Sequence, residues 1–254
     1  MVKYCRMEEN DIVNTFIFDL DGTLLPMPDQ EHFINTYFKA LSMKFIPLGY
    51  DPKEMMKAVW IGTKAMIEND GTMTNEQRFW SVFCAVMGEE ARELEDKFDD
   101  FYRNEFEEAK VATSCHPLAP ECIRLLREKG YTIILATNPL FPQVATHTRL
   151  GWAGLKPSDF ERITTYENSS YCKPNLEYYK EILQLCGKQP FECIMIGNDV
   201  LEDMCAAKLG MDTFLLKDCL ICPEGEDISG LKQGNFEDLL TFIRELPRMY
   251  ESRV

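Results

Sequence analysis

Apolar residues fall into two rhythms along this chain, and the change from one to the other divides it. Short, nearly unbroken apolar runs occur at residues 12–19, 131–136, 193–196 and 213–216, with a weaker one at 162–165. In the first run Ile12, Val13, Phe16, Ile17 and Phe18 are β-branched or aromatic, which suits a strand buried on both faces. Between these runs the apolar positions recur at helical spacing, over residues 120–129, 141–150, 176–186 and 200–209. Strand and helix in alternation predict a doubly wound α/β fold built on a parallel sheet. An amphipathic pattern at 236–244 is expected to pack back onto that core.

Residues 29–114 break the alternation. Here Phe33, Tyr37, Leu41, Met55, Val59, Phe79, Phe83, Phe98 and Phe101 keep helical spacing with no strand between them. The expected organisation is therefore an α/β core from residues 1–28 and 115–254, interrupted by an inserted α-helical domain of four or so helices at 29–114. Asn69-Asp70-Gly71 marks a turn inside the insertion, and the acidic run at 89–100 reads as a solvated helix face. There is no internal repeat.

Composition narrows the function classes. The chain has 254 residues, 45% hydrophobic and 27% charged, enough for a full globular core. Its net charge of −15 repels nucleic-acid phosphates and anionic membranes, so neither is expected as a partner. The same field requires any phosphate site to gather positive charge locally, from a metal, a lysine or backbone amides. Ten cysteines are spread from Cys5 to Cys222, and an N-terminal stretch running through Glu8, Glu9 and Asp11 does not suit a secretory signal, so reduced thiols and a soluble, cytoplasmic protein are expected. Cys219 and Cys222 have metal or redox spacing, but no second pair or nearby His completes a site. No apolar run approaches the length a bilayer requires.

Four short motifs follow the predicted strands. Asp19-Leu20-Asp21-Gly22-Thr23 places two carboxylates at the end of the first strand, where open α/β sheets bind ligands. Thr137 and Asn138 close the second core strand and offer hydrogen bonds to phosphate oxygens. Lys173 precedes the helix over 176–186, near its positive end. Asp199 and Asp203, four residues apart after the strand over 193–196, are expected to share one face of the next helix. Each motif alone has a plain alternative: an Asp-Gly turn, a Thr-Asn turn, a surface lysine, a capped helix start.

Together and in this order, the four resemble the haloacid dehalogenase (HAD) superfamily, particularly its phosphatases. The resemblance covers residues 12–28 and roughly 115–216, with 29–114 similar in place to that superfamily's cap domain. It implies that Asp19 is the nucleophile and forms an aspartyl phosphate. Asp21 would be the acid/base, oriented by Thr23, and Thr23, Thr137, Asn138 and Lys173 would bind the phosphoryl group. Asp19, the Asp21 carbonyl and Asp199 would ligate Mg2+. Asp203 would reach the metal through water or hold Lys173 in place, and Asn198 departs slightly from the commonest form of the last motif.

The implied substrate is a small phosphorylated metabolite, selected by the insertion, since the gap from Thr137 to Lys173 leaves no room for a second large cap. Lys64, beside Gly62 and Thr63, is a candidate substrate contact if the glycine breaks its helix; the alternative is an exposed helix lysine. A phosphomutase, a haloacid dehalogenase and a non-catalytic HAD-fold binding protein are the alternatives. The oligomeric state is open.

Overall fold

The computed structural model describes residues 13–249. Six strands, β1 (Thr15–Phe18), β2 (Thr132–Leu135), β3 (Arg162–Ile163), β4 (Cys193–Gly197), β5 (Asp212–Leu216) and β6 (Gln233–Gly234), form one sheet. All neighbours are parallel, in the order β3-β2-β1-β4-β5-β6. The chain turns outward in both directions from β1, which pairs with β2 on one side and β4 on the other. In open α/β sheets the crevice at the carboxyl ends of the strands beside that switch is the ligand site.

Residues of β1 are all buried, because helices cover both faces of the sheet. Phe16 and Phe18 point to one face with Ile133, Leu135, Ile194 and Ile196. There they meet Leu126 of α5 (Leu118–Lys129) and Leu239 and Ile243 of α8 (Phe236–Glu245). Ile17, Ile134 and Met195 point the other way, onto Tyr178, Tyr179 and Ile182 of α7 (Leu176–Cys186). This alternation within unbroken apolar runs is the two-residue period of a strand buried twice. The crossover after β2 carries α6 (Gln143–Trp152).

Between β1 and α5 the chain is helical: α1 (Gln30–Phe45), α2 (Pro52–Ile67), α3 (Asn75–Met87) and α4 (Glu95–Arg103), with 3-10 stretches at Glu89–Leu94 and Glu105–Ala112. Asp29 caps α1 through the His32 N–H, and Thr74 and Gln77 close a reciprocal capping box on α3. Phe45, Phe83 and Phe98 join α1, α3 and α4, with ring centroids 4.7 Å (Phe45–Phe98) and 5.6 Å (Phe83–Phe98) apart. The acidic stretch behaves as a solvated face: Ala91, Leu94 and Phe98 are buried while Glu89, Glu90, Glu93 and Asp96 face solvent. In the Asn69-Asp70-Gly71 turn, Asp70 accepts hydrogen bonds from Thr72 and Arg78.

Two expectations are corrected. The segment over 200–209 is no α-helix but turns followed by a 3-10 helix at Met204–Leu209. Asp199 and Asp203 therefore do not share a helical face. Asp199 Oδ1 accepts the N–H groups of Leu201 and Glu202, while Asp203 Oδ2 turns back to accept the Asp199 N–H. Gly62 does not break its helix either: α2 runs through it, and Lys64 is an exposed helix lysine facing Glu68 at 3.7 Å. The short edge strand β6 was not anticipated, having only two residues and no periodicity to read. No described helix is long and apolar enough to cross a membrane. The described cysteines, Cys219 and Cys222 among them, are free, and Cys5 and Ile12 lie outside the described residues.

Gly62 is required by close approach: a Cβ there would lie 2.7 Å from the Phe79 ring. That ring is wedged against Trp80 and Phe83 and has nowhere to go. Alanine would improve helix propensity by about 1 kcal/mol, but overpacking costs about 1–3 kcal/mol. Gly62→Ala is therefore expected to lower stability in urea denaturation; a rise in the midpoint would contradict the packing argument.

Candidate active site

Every strand end beside β1 contributes to one cavity of about 320 Å³. Asp19 follows β1, and its N–H extends the ladder by bonding the Ile196 carbonyl at 2.9 Å. Thr137 and Asn138 follow β2, and Asn198 and Asp199 follow β4. Asp19, Asp21, Thr137, Asn138, Asp199 and Asp203 all line the cavity, whose opposite wall is apolar and comes from α1 and α2.

Lys173 is buried beneath this floor. Its Nζ donates to Asp19 Oδ1 at 2.8 Å and to Asp203 Oδ1 at 2.6 Å, so a single cation joins residues separated by more than 150 positions. Burial alone would lower the Lys173 pKa, but the charges of Asp19 and Asp203 outweigh it and hold the ammonium well above its usual range. Asp203 is raised instead, because burial and the nearby Asp19 charge exceed what Lys173 returns. One cation shared by two carboxylates favours the lysine's charge more than that of Asp203.

The turn after β1 is shaped by Gly22 and Asn198. Gly22 takes φ +86, and a Cβ there would lie 2.4 Å from Asn198 Nδ2. Asn198 Oδ1 accepts the Thr23 hydroxyl at 2.8 Å, and its Nδ2 donates to the Cys219 carbonyl at 2.7 Å. Asn198 thus clamps three loops, which gives a physical reason for an amide at this position. Thr23 is fully buried in that clamp; it bonds Asn198 rather than Asp21 and does not line the cavity. Its expected roles in orienting Asp21 and binding phosphate have no contact to support them.

Arg149 and Glu202 were missed by sequence reasoning. Arg149, 1% exposed on α6, pairs with Asp21 Oδ2 and lies over the Phe141 ring, 4.5 Å from its centroid. The available signal was its position four residues after buried Ala145 and three before buried Trp152, on the inward stripe of the helix. Burial raises the Asp21 pKa, Arg149 pulls it down, Asp19 pushes it up, and the net shift is upward. Glu202 accepts from Asn138 Nδ2 at 3.2 Å and lines the cavity. Burial drives it up to about 7, against the pull of Lys173 and with the push of Asp199, Asp203 and Asp19.

The family profile of the haloacid dehalogenase-like hydrolases matches residues 13–210, a span that includes every one of these side chains, from Asp19 to Asp203. The chain belongs to the haloacid dehalogenase-like hydrolase family. Among curated relatives, Pyrophosphatase PpaX of Bacillus pumilus (strain SAFR-032) is 23% identical over 202 residues, covering 79% of this chain and 82% of its own. A HAD phosphatase from Thermococcus onnurineus superposes with TM-score 0.58 at 18% identity, over 93% of this chain and 100% of that one. Magnesium-bound YfnB of Bacillus subtilis superposes with TM-score 0.55 at 20% identity, over 92% and 99%. At these identities the structural matches establish the HAD fold.

The oxygen donors of this HAD-like site suit a hard divalent cation. Asp19 Oδ1 is taken by Lys173 and Asp199 Oδ1 by two backbone N–H groups, while the second oxygen of each has no hydrogen bond among the described residues. Asp21 Oδ1 is buried without a partner among the described residues. No three His, Cys, Asp or Glu side chains among the described residues form a closed cage, and magnesium commonly completes an open set with water and substrate oxygens.

Two outcomes are expected. Lys173→Met leaves the buried Asp19 and Asp203 carboxylates facing each other without a cation, and should cost about 3–5 kcal/mol in chemical denaturation. Glu202 binds its proton more tightly folded than unfolded, so its contribution to stability is complete below its ordinary carboxylate range and is lost as pH rises through about 7. The thermal midpoint of the metal-free protein should accordingly fall between about pH 5 and pH 8 more steeply than that of Glu202→Gln. Parallel profiles for the two proteins would remove Glu202 as the cause.

Proposed function

We propose that this protein is a magnesium-dependent phosphohydrolase that cleaves a small-molecule phosphate monoester through an aspartyl phosphate on Asp19. The observation that carries this reading is the Asp19 carboxylate, which lines the cavity at the end of the central strand with one oxygen held by Lys173 and the other without a hydrogen bond among the described residues. An Asp19 oxygen attacks phosphorus as the ester P–O bond breaks, and Asp21 supplies the proton to the departing alkoxide. Asp21 Oδ1, buried and unpartnered, suits that transfer while Arg149 holds Oδ2. Water then attacks the acyl phosphate, gives its proton to Asp21, and releases inorganic phosphate with the Asp19 carboxylate restored.

Asp19, the Asp21 carbonyl and Asp199 would hold the Mg2+, which when bound supplies positive charge to the phosphoryl oxygens. Lys173 supplies positive charge beside the attacking carboxylate, and Thr137 and Asn138 line the cavity where phosphoryl oxygens would lie. Asp203 holds Lys173 rather than the metal, in keeping with its 2.6 Å ion pair. The helical segment 29–114 is the cap that covers the site and selects the substrate. The names pyrophosphatase and phosphatase on similar proteins favour phosphoryl chemistry, and the magnesium in YfnB favours that cation. Asp21 argues against dehalogenation, since haloacid dehalogenases generally lack the second aspartate.

Asp19→Asn is expected to reduce phosphate release from an aryl phosphate by at least about a thousandfold, given that covalent catalysis passes through this one atom. Chelation should abolish release by the native protein, and added magnesium should restore it. Turnover retained in Asp19→Asn would falsify the nucleophilic role, and turnover indifferent to chelation would remove the metal.

A further inference from the structure

The cavity has two unlike ends. Its floor carries five carboxylates, from Asp19, Asp21, Asp199, Glu202 and Asp203. Its far end is mainly hydrocarbon, from Phe33, Ile34, Phe38, Trp60, Ile67 and Phe141, with neutral Gln30 and Thr63 beside them. No lysine, arginine or histidine among the described residues lines it.

The nearby cations are committed elsewhere. Lys173 is held by Asp19 and Asp203, and Arg149 lies against Phe141 with its guanidinium on Asp21. Lys53, Lys57 and Lys64 line a separate groove on the outer face of α2, which shares Trp60, Thr63 and Ile67 with the cavity. Lys173, Arg149 and a divalent cation bring four positive charges, and the floor's five carboxylates, less the Asp21 that carries the transferred proton, already match them, so none is left for a second anion. A second anionic group on the substrate would have to leave water for a mainly apolar wall that offers it no cation, only the neutral Gln30 and Thr63, which is unfavourable.

The mouth points the same way. Three of the protein's exposed large apolar side chains, Ile34 at 38%, Trp60 at 47% and Ile67 at 46%, belong to this one cavity. Trp60 packs against Phe38 with ring centroids 5.3 Å apart and the planes tilted by 30°, leaving an aromatic surface at the rim. Tyr37 turns its hydroxyl away to Tyr102 at 2.9 Å. Apolar side chains gathered at a cavity rim, rather than scattered, mark a surface that meets an apolar ligand.

We propose that the alcohol portion of the substrate is uncharged and apolar, an aromatic or branched hydrocarbon group seated against Phe38, Trp60 and Phe141, and that esters bearing a second anion are rejected. This rests on the phosphohydrolase reading and goes beyond it by naming the leaving group's chemistry. Selection arises from the wall of α1 and α2, while the carboxylate floor handles the phosphoryl end common to all esters.

The experiment compares 2-phenylethyl phosphate with phosphoglycolate, whose alcohols have similar basicity, alongside inorganic pyrophosphate, all with magnesium. The expected kcat/KM advantage of the phenylethyl ester is about 100-fold, the scale on which pockets discriminate by a buried polar mismatch. Thr63→Lys, which puts a cation at the apolar end, should shift the phosphoglycolate-to-phenylethyl ratio by about tenfold or more toward the anion. Calorimetry with the non-cleavable 3-phenylpropylphosphonate and 3-phosphonopropionate should give the same ranking in Kd without any turnover. Equal or better turnover of phosphoglycolate or pyrophosphate, lost in Asp19→Asn, would overturn the inference and leave the hydrolase reading standing. Absence of magnesium-dependent phosphate release from every ester would sink the hydrolase reading and this inference with it.

Discussion

A buried lysine shared by two aspartates is the interaction on which the site depends. Lys173 comes from a loop before α7, Asp19 from the end of β1 and Asp203 from the segment after β4, and each is at most 7% exposed. Charges removed from water at this depth are tolerable only when paired with good geometry. The three segments are therefore held together by electrostatics as well as by the sheet. The arrangement also points Asp19 into the cavity with one oxygen fixed and the other without a hydrogen bond among the described residues.

Around that triad the molecule separates two tasks. Parallel strands deliver backbone and polar side chains to one edge, with the Asn198 clamp tying the turn after β1 to the loop at Cys219. Helices α1 and α2 supply a hydrocarbon wall opposite. The floor's negative charge explains why local positive charge matters so much in a chain of net charge −15. Arg149 belongs to the same logic: a buried guanidinium beside Asp21 counters the carboxylates crowded at the end of β1.

Much of this was legible in the amino-acid sequence. The strands at residues 131–136 and 193–196 were readable because a strand buried on both faces has no polar alternation, and the helix over 176–186 because its apolar stripe is complete. Asp19, Thr137 and Asp199 could be singled out because each sits just past a readable strand, and Lys173 because it sits just before a readable helix. The segment after β4 was misread: its apolar spacing is helical, yet Asp199 and Asp203 spend their side chains on nearby backbone N–H groups and tighten it into turns.

The sequence by itself determined the α/β order, the helical insertion and the residues crowded at the strand ends, since those follow from periodicity and local position along the chain. Only the tertiary structure decided that Thr23 serves Asn198, that Asp203 serves Lys173, and that Arg149 and Glu202 enter the site. It alone joined α1 and α2 into an apolar wall facing the carboxylates. Pairing between buried groups depends on distances through space that the fold sets, and residues separated by up to 175 positions carry no local signal of one another.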